Sequence, residues 1–336
     1  LSQENNIVKV RETFSYRMQD LLDRTYCWNM SNQQAQETSK SKAKDLPKNT
    51  CQQGEKAIHL WIDGFGDYLF QNNISFAGTH QVGYQTNTGG GVVGLDYHFA
   101  DYFYVGALGA YTGSGTEWKK DFGKGSINTG YGGLYFSALG KMFYGNLSVI
   151  GGWSHFTGHR NILFPEETLT ANNGHGGKQI LSHADTGVNF GFGGFSVRPF
   201  DSFDYICGLE QSFTETGAEE FDLHVKKSNA ILIRNELGLQ FSSCFCLGSS
   251  KWTFSPSISW VREIRVTGAD YTANFVDTDA SFEVTGYFPN RNLIAPGVML
   301  SGMMMNDFLS LDLYYNGEFA KKYNDNSFGG QIRFGF

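Results

Sequence analysis

The feature that most constrains this chain is a period of two that begins at Ile58 and continues to its last residue. Strict alternation of apolar and polar residues marks strands with one apolar face. The final segment is the plainest case. Phe328, Ile332, Phe334 and Phe336 fall on one side, interrupted by Gly330, while Gly329, Gln331 and Arg333 fall on the other. In the same way Trp252, Phe254, Ile258 and Trp260 alternate with Thr253, Ser255, Ser257 and Ser259. The strand-like segments are 58–71, 83–99, 102–118, 125–140, 143–160, 183–198, 204–217, 228–242, 251–266, 292–305, 308–321 and 325–336, which makes twelve. Most exceed the roughly nine to eleven residues with which a strand crosses a bilayer at a tilt. They are about twice as long as the usual strand of a soluble sheet.

Alternation does not say which face points outward, because a soluble sandwich turns its apolar face inward. The connections decide. Every second one is short: Ala100-Asp101, Lys141-Met142, Pro199 to Phe203, Asn306-Asp307, with Ser243 to Ser250 slightly longer. Aromatic residues crowd beside them, among them Tyr102, Phe103, Tyr104, Phe143, Tyr144, Phe245, Trp252 and Phe308. The other connections are longer and more polar, especially Leu163 to Ser182 and Gly268 to Arg291. Short turns with an aromatic belt on one side and polar loops on the other are the two rims of a transmembrane β-barrel. An even strand count brings the last strand back to the short-turn side. The 42 glycines and 15% aromatic residues suit a closed sheet that bends at glycine and rings its interfaces with aromatics. No stretch approaches the roughly 18 continuous apolar residues of a membrane helix. The negative mean hydropathy is what a barrel with lipid-facing and lumen-facing residues averages to.

Residues 1–57 differ. Ile7, Val10, Phe14, Met18, Leu21 and Leu22 recur at threes and fours among Lys9, Arg11, Glu12, Arg17, Asp20, Asp23 and Arg24, with Asn6 as the N-cap. This predicts an amphipathic helix over residues 1–28. Residues 29–57, rich in Gln, Ser, Lys and Asn and containing Pro47, read as a polar connector. The barrel then occupies 58–336. Its lumen, between that of eight-stranded barrels filled by side chains and that of sixteen-stranded water-filled porins, has room for one helix. The helix carries charge around most of its circumference, which suits a polar lumen better than lipid. Arg234, Glu236, Gln240, Asp312 and Asn316 are expected to face that lumen and to meet Arg11, Arg17, Asp20 or Arg24, as hydrated and individually modest pairs.

A net charge of -7 leaves no basic footprint for nucleic acid. Five cysteines, with no double pair of metal-ligand spacing, point to no metal. Cys244 and Cys246 are poorly placed to bond each other, while Cys27 and Cys51 flank one polar segment and can bridge in an oxidising compartment. Eight histidines are scattered without catalytic spacing, so neither an enzyme nor a cofactor is expected. The chain opens at Leu1 with no secretory signal, so it reads as a piece of a longer precursor.

Within the barrel region stand Trp61-Ile62-Asp63-Gly64-Phe65, Gly83-Tyr84 and Gly91-Val92-Val93-Gly94-Leu95-Asp96-Tyr97. They are followed by Gly106-Ala107-Leu108-Gly109-Ala110-Tyr111 and Gly132-Gly133-Leu134-Tyr135. Arg234-Asn235-Glu236-Leu237-Gly238-Leu239 and Tyr315-Asn316-Gly317-Glu318-Phe319 come later, before the terminal Phe336. In this order and spacing they resemble the C-terminal translocator domain of type V autotransporters, from about residue 58 to 336. The barrel cysteines and Phe70-Gln71-Asn72-Asn73 resemble the chlamydial polymorphic membrane proteins. The resemblance implies an all-β fold, a twelve-stranded antiparallel transmembrane barrel of the Gram-negative outer membrane with an N-terminal helix through its lumen. It implies export of an N-terminal passenger to the cell surface. It further implies outer-membrane lipid and the barrel-assembly machinery as partners, with Phe328, Ile332, Phe334 and Phe336 as the assembly signal. In some members the passenger is released by cleavage between paired asparagines inside the barrel, which nominates Asn5 and Asn6, with Glu236 or Asp312 as the assisting acid. The alternative reading is a small passive porin.

Overall fold

The computed structural model describes residues 2–40, 56–76, 79–100, 102–140, 142–192, 195–248, 250–267, 270–285, 291–305 and 308–336. Twelve long antiparallel strands form a ring: β1 (Ile58–Gln71), β2 (Tyr84–Phe99), β3 (Phe103–Trp118), β4 (Gly123–Leu139), β5 (Phe143–Leu163) and β6 (Thr168–Val188), then β7 (Phe195–Glu210), β8 (Ser228–Leu247), β9 (Ser250–Thr267), β10 (Arg291–Met304), β11 (Leu309–Ala320) and β12 (Tyr323–Gly335). Each pairs with its chain neighbours, and β1 pairs with β12 from His59 opposite Gly335 to Gln71 opposite Tyr323. That last ladder closes the sheet, so no edge strand meets lipid with unpaired backbone groups.

The two faces sort as a membrane barrel requires. Along β1, Ile58, Ile62 and Tyr68 are exposed while His59, Trp61, Asp63, Phe65 and Asp67 are buried inside the ring. On β12, Phe328, Ile332 and Phe336 are exposed, and Gln331 and Arg333 are buried. The apolar face is therefore the outer one. On β5 this outer face runs Phe143, Leu147, Val149, Trp153, about 33 Å of strand at ~3.3 Å per residue. At a tilt near 40° that is roughly the 25 Å height of a lipid-facing band. Rings stack along the short-turn rim, Phe99 on Phe103 and Phe103 on Phe136. Tyr104 and Tyr144, expected in this belt, turn into the lumen instead.

Two expected strands are displaced. Segments 183–198 and 204–217 are in fact β6 and β7, at Thr168–Val188 and Phe195–Glu210, so Leu163 to Ser182 is no loop and Pro199 to Phe203 is no turn. The stretch Thr168 to Gly177 is rich in Gly, Asn and His and lacks alternation, because it rises beyond the lipid band, where neither face has to be apolar. Pro199 lies one residue past the last rung of the β6–β7 ladder, Phe200 opposite Gly187, a ladder end that a proline tolerates. β8 likewise runs on to Leu247, so Ser243 to Ser250 shrinks to a tight turn at Gly248, whose positive φ of 62° suits glycine. The outward connections are not uniformly long: β11 and β12 join through Lys321 and Lys322 alone. β5 and β6 join through residues 164–167, and the remaining outward connections carry small elements, including a four-stranded sheet of Phe213–Thr214, Leu223–Val225, Asp270–Phe275 and Ser281–Thr285.

One helix, α1 (Ser2–Lys40), threads the ring. It begins before Asn6 and ends at Lys40, well past residue 28, so Asn6 does not cap it and the connector is helical over residues 29–40. Gln33, Gln34, Ala35, Gln36 and Glu37 are good helix formers, and helical propensity needs no apolar stripe. From Gln3 to Thr25 no side chain is exposed, which no surface helix achieves. Ile7, Val10, Phe14, Met18 and Leu21 join one apolar cluster with Trp61, Tyr104, Leu108, Tyr135, Ile150 and Leu181 of the wall. The proposed Cys27–Cys51 bridge lies outside the described residues.

Glycines make space for the large rings of that cluster. A Cβ at Gly94 would collide with the indole of Trp61, and one at Gly106 with the ring of Tyr135. Gly94→Val should therefore destabilise the refolded barrel by about 1–3 kcal/mol, the usual penalty of overpacking, read as a lower denaturant midpoint. Gly132→Ala, where a Cβ meets nothing within 4 Å, should leave the midpoint unchanged.

Candidate functional site

The site is the lumen with its helix. Helix cations meet wall carboxylates. Lys9 Nζ lies 3.0 Å from Asp67 and 3.2 Å from Asp325, Arg11 donates to Asp204 at 2.9 Å, and Arg17 grips Asp96 with Nε at 3.0 Å and Nη2 at 2.9 Å. Helix carboxylates meet wall cations. Glu4 takes both guanidinium nitrogens of Arg265, at 2.9 and 2.8 Å, and Asp23 accepts from Arg198 at 2.7 Å. All eleven of these side chains are buried or nearly so. They are thus not the hydrated, modest pairs expected, because the helix displaces the water that would screen them. In so little water, removing one partner strands a charge.

Two nodes share a plan. Asp96 holds Arg17 and also meets His59 Nδ1 at 2.9 Å, and it accepts from the Tyr135 hydroxyl at 3.2 Å. Tyr135 in turn accepts from the Trp61 indole at 3.0 Å. Asp204 holds Arg11 and meets His183 Nδ1 at 2.6 Å, while His183 Nε2 meets Asp185 at 3.0 Å. In each node the carboxylate is held by wall side chains as well as by the helix arginine. Neither acid was nominated from the sequence. The signal was present: Asp96 sits between Leu95 and Tyr97, and Asp204 between Phe203 and Tyr205, each a charge at an inward position of an alternating strand.

The nominated residues all line the inner face. Arg234 pairs with Glu263 at 2.9 Å and with Glu318, a contact within the wall rather than with the helix. Glu236 accepts from Ser259 at 2.6 Å. Gln240 accepts from Arg198 at 3.3 Å, the wall partner of the helix residue Asp23. Asp312 and the helix residue Asp20 share the Ser301 hydroxyl, and Asn316 donates to Glu12 at 3.4 Å. Asn5 donates to Asp67 at 3.4 Å. Asn6 donates to Ser114 at 3.0 Å and accepts from Thr88 at 3.3 Å. Glu236 and Asp312 are not among these partners, so neither proposed acid is brought to the asparagine pair.

The gap left beside the helix, bordered by Arg11, Glu12, Tyr16, Glu236, Gln240 and Asn316, measures about 100 Å³. That holds a few waters and no extended chain. Above the helix the lumen widens into an outer vestibule of about 780 Å³ lined by Trp118, Phe122, Ile127, Phe156, His175 and Phe213. Three rungs above the Trp153–Lys178 pair that tops the lipid band on β5, His175 is stacked between Phe156 and Phe213. Burial there, with His155 adding repulsion, pushes its imidazole down to about 4.

Residues 60–316 match the profile of the family described as the autotransporter beta-domain. No curated protein sequence matches the chain. Among solved structures it is similar to the translocator domain of autotransporter NalP from Neisseria meningitidis, with 14% identity, TM-score 0.66, 84% of this chain and 90% of that one covered. It is similar to the beta domain of the Bordetella autotransporter BrkA, with 17% identity, TM-score 0.62, and 83% and 100% covered. The transport unit of the autotransporter AIDA-I from Escherichia coli follows at 13% identity, TM-score 0.53, and 94% and 98% covered. At these identities the likeness carries the fold, and the profile carries the family. The narrower likeness to chlamydial proteins rests on Phe70 to Asn73 and the cysteines alone.

Replacing Asp96 by Ala removes the two-point partner of Arg17 and leaves it only Asp20, at 3.2 Å, so it should destabilise the helix-filled barrel by about 1–3 kcal/mol, seen as a lower urea midpoint. Arg17→Met combined with Asp96→Leu should recover part of the loss. An unchanged midpoint in Asp96→Ala would show that the pair does not hold the helix.

Proposed function

The chain belongs to the autotransporter beta-domain family, outer-membrane translocators that serve passenger secretion in Gram-negative bacteria, and from that premise we propose how its parts divide the work. Residues 1–28 are the plug, 29–57 the connector and 58–336 the export barrel. The helix-filled lumen is the resting state after an attached N-terminal passenger has passed. The observation that carries this reading is the charge matching of helix to wall, Arg17 on Asp96 and Arg11 on Asp204, which a barrel built as an open channel does not need.

The passive porin is the competing reading, and the gap of about 100 Å³ weighs against it. Single-channel conductance of the refolded protein separates the two. The intact chain should conduct little and the form lacking residues 1–28 much more, whereas a large conductance in both would support the porin.

The outward residues Phe328, Ile332, Phe334 and Phe336 are proposed as what the barrel-assembly machinery recognises, with lipid covering them afterwards. Arg234, Glu236, Gln240, Asp312 and Asn316 are assigned to the wall of the export path. Phe334→Ser with Phe336→Ser should lower the amount of heat-modifiable barrel in membranes several-fold, and a normal amount would remove the assignment.

No catalysis, cofactor or nucleic-acid binding is assigned to this chain. Cleavage between Asn5 and Asn6 would need the Asn5 amide nitrogen to attack its own backbone carbonyl with an acid or base beside it. The carboxylate next to Asn5 is Asp67, at 3.4 Å, and not Glu236 or Asp312, and the bond to be cut lies within the regular helix α1. A fragment extended upstream of residue 1 should stay uncut on assembly, and a new terminus at Asn6 would overturn that.

A further inference from the structure

On the lipid-facing side of the barrel a cleft of about 890 Å³ opens between the upper ends of β6, β7 and β8. Its walls include Lys178, Leu209, Gln211, Ser212, Lys227 and Asn229. Trp153, Lys178, Leu209 and Asn229 are neighbours in one row of the sheet. All four are exposed, as are Ile180 and Tyr205 further down the same strands, so the row faces outward. Neither Lys178 nor Lys227 has an ion-pair or hydrogen-bond partner for its ammonium among the described residues. The acid of the lining, Glu210, also borders the vestibule, and its carboxylate accepts from Tyr271 at 3.4 Å. Gln211 lies over Gly176, where a Cβ would come within 2.8 Å of its side-chain oxygen, so the glycine gives the amide its place in the wall.

The register fixes the depth of this cleft. A row of paired residues that starts at Met304, beside the short-turn rim, runs through Phe334, Leu60, Val149 and Tyr205 to Ile264. There it meets β10 again next to Arg291, at that strand's outer end. Rows therefore climb from β10 through β11, β12 and β1 onward to β9, by about 3 Å per strand for a ~4.8 Å spacing at a tilt near 40°. From Trp153, which tops the lipid band on β5, the row carries Lys178 about 3 Å and Asn229 about 9 Å higher, into the headgroup layer.

We propose that this cleft holds the phosphorylated sugar headgroup of an outer-leaflet glycolipid. Lys178 and Lys227 meet its phosphates, Gln211, Ser212 and Asn229 meet its hydroxyl and amide groups, and its acyl chains lie on Leu209, Ile180 and Tyr205. Two ammonium groups without a carboxylate, at headgroup depth, attract anionic lipid, and lysine binds phosphate as a point charge. The volume is in the range of small-molecule sites and far exceeds one phosphate, and the amides and hydroxyl of the wall suit a sugar. Below the cleft the apolar outer face continues without a step into the lipid band. The site rests on the outer-membrane location and not on the plug, so it can fail while the translocator reading stands.

The full chain, refolded in detergent, is titrated with bisphosphorylated lipid A, and bound copies are counted by native mass spectrometry. Lys178→Gln with Lys227→Gln should weaken binding about thirtyfold, roughly what two lysines contribute at an anionic membrane surface. Both side chains are exposed, so the barrel itself is kept. Lys321→Gln with Lys322→Gln, on the opposite flank, should leave binding unchanged. Unaltered binding in the first double variant, or an equal loss in the second, would overturn the site. Lipid A stripped of its phosphates should bind the parent chain as weakly as intact lipid A binds the first double variant. Equal binding of phosphatidylglycerol, or full displacement of lipid A by excess inorganic phosphate, would show that the cleft reads charge without the sugar and would overturn the glycolipid assignment.

Discussion

A helix carrying Lys9, Arg11, Arg17, Glu4 and Asp23 can sit at the depth of a membrane only where every one of those charges finds an opposite charge. The barrel wall supplies them, and the rest of the architecture follows from that requirement. Asp96 and Asp204 are tied to His59, Tyr135 and His183 of the wall as well as to the helix, so each acceptor has partners on both sides of the helix–wall seam.

Shape is handled separately from charge. Trp61, Tyr135 and Tyr314 project into the lumen, and glycines on neighbouring strands, Gly94, Gly106 and Gly329, leave the space that their rings fill. Large rings and absent side chains alternate around the wall, which narrows the lumen to the width of one helix. The outer face has no such demand, and there bare alternation of apolar residues is enough.

That difference explains what could be read from the sequence. Lipid imposes a simple rule on every second residue, so the twelve strands, the outward face of β12 and the closure into a ring were legible wherever strands cross the bilayer. β6 and β7 were misplaced because Thr168 to Gly177 stands outside the lipid and carries no such rule. The helix beyond residue 28 was missed for a like reason: an apolar stripe reports packing, and the Gln-rich continuation to Lys40 is helical without one. The pairing of Arg17 with Asp96 and of Arg11 with Asp204 joins residues 79 and 193 positions apart. Periodicity marks such residues as inward, but which inward acid faces which helix residue depends on the rotation and depth of the helix, and no local pattern encodes those.

The unequal strand lengths have a consequence for the cell that displays this surface. β5 and β6 each have 21 residues while β11 has 12 and β12 has 13, and all start from the same rim. The surplus of roughly eight residues raises one side of the barrel by about 20 Å at the usual strand rise and tilt. The outer edge is therefore a slope with a parapet on one flank. An antibody or phage descending on the cell meets the tall flank around Phe164, with Phe221 packed against it at 5.2 Å, well above the low flank at Lys321 and Lys322.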